Sequence, residues 1–240
     1  MEQRKYRITS ETRDWAGHTL HRIVALIDFG DVCAGDYGGF IESENNLSHE
    51  GEAWIGSSAM VCCGAKVYED AVVSGYALIY DKAQVYGRAR IRDEAMIYGT
   101  AKVYGNALVF GNALVSDNAR VFGRAWVCED TRVCDNARVR QDAWVSGDAH
   151  ICNDARVGGE AQIGDNALIF GRAQVGGVAR IGGNARIGGD AIVSGSMRVF
   201  GNSRIGGIGL RGKDLTIIAK KESRAFADVP VGNTALGSKA

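Results

Sequence analysis

Residues 53–88 read AWIGSSAMVCCGAKVYEDAVVSGYALIYDKAQVYGR, which divides into six hexads of the form Ala-x-(Val/Ile)-x-(Gly/Asp)-x. The pattern continues to residue 208 without insertion or deletion, giving 26 hexads. The third position is Val or Ile in all 26, and the first is Ala in 23, the exceptions being Thr131, Met197 and Ser203. The fifth position is Gly in 15 and Asp in 5. In an extended segment the first and third residues share one side, so a small and a β-branched side chain point inward. The second and fourth positions carry Lys, Arg, Tyr, Leu and Ser and point outward. The fifth and sixth carry Gly, Asn and Asp, which tolerate positive φ and make corners. Each hexad is therefore a short strand plus a corner. A helical period of 3.6 would scatter these classes over every face.

Three strands closing a triangle need 18 residues, and the outward positions repeat at that interval. One column reads Tyr68, Tyr86, Tyr104, Phe122, and its neighbour Lys66, Gln84, Lys102, Arg120, Arg138, Arg156. Another reads Met60, Leu78, Met96, Leu114, beside Cys62, Tyr80 and Tyr98. Stacking like on like is what parallel ladders favour. The expected fold is all-β, a parallel β-helix of 18 residues per coil and about 8–9 coils.

The composition agrees. The 240 residues hold 33 Gly but a single proline, Pro230. Collagenous and disordered chains carry proline with their glycine, whereas a ladder in which every strand is central needs every N–H. Basic and acidic residues balance at 28 each, so no global field steers the chain to nucleic acid or an anionic membrane. No apolar run reaches the 18 residues of a membrane span. The N-terminal MEQRKYRITSE has no apolar core of a secretory signal, so the cytoplasm is the expected compartment.

Open ladder edges need covering. Residues 1–52 break the hexad phase and read as an N-terminal cap of short strands and loops, with HRIVALIDFGDV (residues 21–32) as a strand. Residues 209–240 read as a C-terminal cap and tail. There Arg211 falls where an aliphatic residue belongs, Leu215, Ile217 and Ile218 plug the last coil, 219–227 form a short helix, and 228–240 are loose.

The hexad is similar to that of the hexapeptide-repeat superfamily of left-handed parallel β-helices, and left-handed coiling is taken from that resemblance. Residues 22–55, RIVALIDFGDVCAGDYGGFIESENNLSHEGEAWI, further resemble the cap of YdcK-type bacterial proteins, which carry an acetyltransferase label. The superfamily resemblance implies CoA-dependent acyl transfer, a catalytic histidine and a trimer, with some members acting as carbonic anhydrases.

The residues themselves lean another way. Of four histidines, His18, His21 and His49 lie in the cap, and only His150 lies in the repeats, at an outward position. No loop leaves the 26 hexads. His150 is the candidate general base of an acyl-CoA or acetyl-CoA transferase. His150 with Cys152 and Cys134 makes a weak mixed metal set beside Arg132, and no metal is expected. Six cysteines without a CxxC spacing are read as free thiols, and GGNARIGGD as corners rather than a phosphate loop. Two outward strips are candidate contact surfaces. Lys66, Tyr68, Tyr86, Lys102, Tyr104, Arg120 and Phe122 form an aromatic and cationic strip suited to a small molecule or glycan. Met60, Leu78, Tyr80, Met96, Tyr98 and Leu114 form an apolar patch for a cap or a second subunit, with a homotrimer the first expectation; Leu108, Phe110, Trp126, Cys128 and Trp144 form another. The leading reading is a rigid structural or interaction module with no evident active site and no cofactor. The alternative is the acyltransferase just described.

Overall fold

The computed structural model describes residues 4–56, 58–207, 210–212 and 216–219, the last two segments as backbone. It is a parallel β-solenoid. From Trp54–Ile55 to Arg186–Ile187, two-residue strands recur every six residues. They stack into three sheets of 12, 10 and 9 strands among the described residues, and the nine-stranded sheet counts nine coils. Face one carries Met60, Leu78 and Met96, face two Lys66, Gln84 and Lys102, and face three Val72, Arg90 and Leu108. Within the repeats every ladder from Trp54↔Val72 to Arg186↔Arg204 pairs residues 18 apart.

The first and third positions make the core. Ala59, Val61, Ala65, Ala101, Val103 and Val121 are fully buried, and one continuous cluster runs from Tyr6 to Val199. The exceptions to Ala are accommodated in place. The Thr131 hydroxyl donates to the Cys128 carbonyl at 2.7 Å, Ser203 donates to the Phe200 carbonyl at 2.6 Å, and Met197 is fully buried.

The fifth positions hold the left-handed backbone, from Glu69 at φ +60° to Gly201 at φ +68°. Where the residue has a polar side chain, that side chain accepts the corner N–H of the next coil. Gly111 donates to Asp93 at 3.1 Å, Gly147 to Glu129 at 2.6 Å, Gly159 to Gln141 at 2.7 Å and Gly171 to Asn153 at 3.1 Å. The strain of a Cβ at positive φ is thus offset by satisfying a corner donor. At Gly75 a Cβ would lie 2.6 Å from the Asp93 nitrogen, so that corner requires glycine.

The N-terminal segment is built around an antiparallel hairpin, β1 (Tyr6–Trp15) and β2 (His18–Ala25). Its tip, Ala16 and Gly17, has φ of +49° and +84°, the two-residue turn with both centres left-handed that matches strand twist. The strand expected over 21–32 starts at His18 and stops at Ala25, after which only an isolated Phe29↔Val32 bridge remains. β3 (Tyr37–Ile41) pairs antiparallel with β2 and parallel with the strand Met60–Val61, joining the hairpin to face one. Residues 40–55 already trace a coil, through Ile41, Leu47 and Ile55 stacked on Val61, Val67 and Val73. Leu47 and Ile55 are eight residues apart where Val67 and Val73 are six, which hides this coil from the hexad pattern.

At the other end, Leu210 pairs with Val193, a separation of 17 rather than 18. The register advances by one residue, so Leu210 and not Arg211 stands opposite the aliphatic position, correcting the expectation for Arg211. Ile217 then pairs with Val199, again 18 apart. The side chains expected to plug the last coil, and the expected helix and tail beyond residue 219, lie outside the described residues. No helix among the described residues is long and apolar enough to cross a membrane.

Two expectations follow. Asp at 103 would place an unpaired carboxylate in a fully buried column, costing ~4 kcal/mol or more; Val103→Asp is expected to lose β-sheet circular dichroism or aggregate, and a cooperative wild-type melt would contradict the burial. Lys5 is 2% exposed, and its Nζ donates to the carbonyls of Gly51 (3.1 Å) and Ala53 (2.8 Å). Burial lowers its pKa to about 8, against the pull of Asp70 and Glu52. Between about pH 8 and pH 10.4 the unfolded chain holds a proton that the folded chain has released, so stability rises with pH by up to ~3 kcal/mol. Denaturant titrations of wild type against Lys5→Met, which removes this ionisation, should show that difference growing across the same window and flat below it.

Candidate functional site

The strip on face two exists as a regular stack. Tyr68, Tyr86, Tyr104 and Phe122 lie ring on ring, centroids 4.8–4.9 Å apart and planes within 6°. Burial, and then the neighbouring ring, raises the Tyr68 and Tyr86 hydroxyls above the usual tyrosine range. Because rings cover one another's faces, the middle of the stack offers edges only. A ring face can be free at Tyr68, whose place in the coil above is taken by Ser48, donating its N–H to the Val67 carbonyl. A serine where the column otherwise has a ring leaves a gap. There a groove of about 390 Å³ opens, lined by Tyr68, Lys66 and Gln84 on the repeats and by Glu44, Asn45, Leu47 and Ser48 on the cap side.

Beside the rings runs the basic column. Lys66, Gln84, Lys102, Arg120, Arg138 and Arg156 follow one another in ladder register. None of its Lys or Arg residues lies within 4.0 Å of a carboxylate among the described residues, whereas the corner cations Arg124 and Arg172 pair with Asp142 and Asp190. Below Phe122 the ring column gives way to Arg140, Gly158 and Gly176, and a second groove of about 320 Å³ lies among Arg140, Arg156 and those glycines.

The apolar patch on face one is divided. Trp15 of the hairpin packs on Tyr80 at 5.2 Å, and Met60 and Tyr80 join the cluster of Leu20, Phe40 and Cys62, so the chain's own cap covers its upper end. Leu78 is buried, Tyr98 and Leu114 are half-buried, and Met96 is exposed. On face three Trp126 and Trp144 are exposed, 5.1 Å apart, with Phe110 against Trp126 and Arg92 over Phe110.

His150 is half-buried on face one, with Arg132 and Leu168 as its ladder neighbours. Its ring has no side-chain hydrogen bond among the described residues, and it lines neither groove. Cys134 and Cys152 stay free thiols, as do the other four. The hydrogen bond to Cys152, followed by burial, pushes the Cys134 thiol up. Asp117, Cys134 and Asp135 converge on one corner, but both carboxylates already accept the next corner's N–H, from Asp135 at 3.2 Å and Asn153 at 2.8 Å.

A second constellation combines residues far apart in sequence. His18, at the exit of the hairpin turn, places Nδ1 2.9 Å from Glu42 Oε1, and its Nε2 lies 3.7 Å from Cys63 Sγ. Glu42 follows β3, and its Oε2 accepts the Cys63 N–H at 2.5 Å. The His18 bond, foremost, holds the Glu42 carboxyl below its ordinary range. Cys62 Sγ lies 3.7 Å from Cys63 Sγ, and burial raises the Cys62 thiol. The sequence offered only that three histidines sit in the cap. Their partners depend on how the hairpin folds back onto the first coils, which no periodicity encodes. The other cap histidines have other settings: His49 stacks on Tyr6 at 4.2 Å, and His21 sits in β2 opposite Ile41.

The model of the YdcK β-solenoid repeat matches residues 101–116, 161–177 and 179–195. The chain is 36% identical over 80 residues to a protein of Escherichia coli K12 named "Uncharacterized acetyltransferase YdcK". That match covers 30% of this chain and 23% of the relative, so less than a quarter of the relative's length is represented. With the nine stacked coils, these matches make the chain a β-solenoid similar to YdcK-type proteins.

Proposed function

We propose that the protein is a rigid interaction module that binds an acidic oligosaccharide along face two. The observation that carries this reading is the end of the aromatic stack, where the gap beneath Ser48 opens beside Tyr68 into a groove with Lys66 on its wall. A sugar ring can lie against Tyr68, and its anionic substituent can reach Lys66. Farther down, Lys102, Arg120, Arg138 and Arg156 stack at the ladder spacing with no carboxylate within 4.0 Å among the described residues. Like charges so placed repel one another, and an anionic chain running along the face relieves the repulsion. From Lys102 to Arg156 the cations repeat with the coils, so an extended anionic ligand meets one at each successive coil. Left-handed coiling, a cytoplasmic location and assembly into a homo-oligomer, a trimer first, belong to the same reading and rest on resemblance and on the exposed Met96, Trp126 and Trp144.

A second reading takes the name of the Escherichia coli relative at its word: a CoA-dependent acyltransferase using acetyl-CoA, with His150 as general base. It would make His150→Ala inactive and give a thermal shift with acetyl-CoA.

Titration calorimetry with oligogalacturonate, and with neutral dextran of matched length, separates these readings. Removing the ring against which the sugar lies, Tyr68→Ala should weaken oligogalacturonate binding about tenfold, or ~1.4 kcal/mol. Binding should fall steeply with salt, and Arg138→Glu should weaken it further. Equal affinity for dextran, or none for oligogalacturonate, rejects the face-two reading.

A further inference from the structure

Cys63 breaks the rule of its own position. Every other described fifth position of the repeats is Gly, Asp, Glu, Asn or Gln. Cys63 holds the same left-handed backbone, φ +57°, without the acceptor that makes it worthwhile elsewhere. Its sulfur turns instead toward His18 Nε2, 3.7 Å away, on the tip of the hairpin. The ring's other nitrogen is committed: Nδ1 donates to Glu42 Oε1 at 2.9 Å, and a carboxylate can only accept. That bond fixes the tautomer and leaves Nε2 as a bare acceptor facing the thiol. Glu42 is itself tied at its second oxygen by the Cys63 N–H, so one carboxylate orients both the base and the backbone of the nucleophile. His18 and Glu42 side chains are 39% and 32% exposed, so the site opens to solvent.

We propose that Cys63, His18 and Glu42 form a nucleophilic site for acyl transfer from small thioesters or activated esters, beyond the ligand-binding role of face two. His18 Nε2 takes the Cys63 proton, and the thiolate attacks the acyl carbonyl carbon. As the new S–C bond forms, the bond from that carbon to the leaving sulfur or oxygen breaks. His18 returns its proton to the departing thiolate or alkoxide, leaving acyl-Cys63 and the free thiol or alcohol. In the second half the base deprotonates water or an acceptor, which displaces the Cys63 sulfur, and the thiol regains the proton. Glu42 is a positioning residue that keeps Nδ1 protonated and stabilises the imidazolium. The same three residues cluster closely enough to suggest a cation site. With one Glu42 oxygen holding the His18 ring and the other the Cys63 amide, however, the carboxylate is placed to orient the pair, and Sγ and Nε2 face one another.

The test uses the full chain, with exposed Cys33 as internal standard. With p-nitrophenyl acetate, peptide mass spectrometry should find one acetyl group, on Cys63, retained while one equivalent of p-nitrophenolate is released in a burst. With iodoacetamide, Cys63 should react about tenfold faster than Cys33 at neutral pH. Between about pH 8 and about pH 6 its rate should fall less steeply than that of Cys33. His18→Asn should bring Cys63 to the rate and pH profile of Cys33, and Glu42→Gln should shift the profile toward it. The wild-type profile is decisive alone should a variant fail to fold. Labelling of Cys63 no faster than Cys33, an acetyl group distributed over several thiols, or stoichiometric Zn²⁺ binding that blocks labelling and is lost in all three single variants would overturn the proposal.

Discussion

The ladder that joins each residue to the one 18 positions away constrains everything else in this molecule. Two-residue strands are too short to hold themselves; each is stable only because the coils above and below donate and accept its backbone hydrogen bonds. That makes register unforgiving. A slip of one residue would turn the Val/Ile column outward and the lysines and tyrosines inward. The chain prevents the slip at every corner. Cys63 apart, the left-handed fifth residue is glycine or a residue whose side chain binds the next corner's amide, so corners stack on corners and fix where each strand begins.

What the sequence discloses and what it hides divide along this line. Val103 and its column, the ring stack from Tyr68 to Phe122 and the basic column are legible because their signal repeats, and 26 repetitions make an 18-residue coil the economical solution. The bond from Gly147 to Glu129 is not legible from the same text, because nothing in the string Gly/Asp/Glu distinguishes a residue that merely tolerates positive φ from one that serves the next coil. The coil traced by Ile41, Leu47 and Ile55 is hidden because two extra residues break the count. Arg211 is the opposite case: one residue fewer separates the coils there, and the register advances to bring Leu210 opposite Val193.

The candidate chemistry shows the same division more sharply. His150 stands out in the sequence as the one histidine of the repeats, which is a statistical distinction. The structure gives it ladder neighbours but no orienting partner among the described residues. His18 looked ordinary, one of three in an irregular segment, and yet its ring has a different partner at each nitrogen. The difference lies in long-range docking. Trp15 on Tyr80 seats the hairpin tip on face one, and that seating carries His18 to Cys63, 45 residues away in sequence.

A perfect repeat is poorly suited to concentrate distinct groups, because whatever one coil presents the next tends to present again, and stacked like groups compete rather than cooperate. Rings cover each other's faces, and cations repel. Asymmetric sites should therefore arise where the repeat is interrupted. Residues 42–48 lie in the irregular coil that leads into that interruption. They leave β3 with Glu42 turned to His18 and Cys63, pass Asn46, whose amide donates to the carbonyls of Cys63 and Ala65 at 3.2 and 2.9 Å, and end at Ser48 above Tyr68. One short segment thus walls the groove on face two and orients the thiol at the corner between faces one and two. The solenoid supplies a stiff, repetitive surface, and the junction with its cap supplies the variety of side chains that recognition and chemistry require.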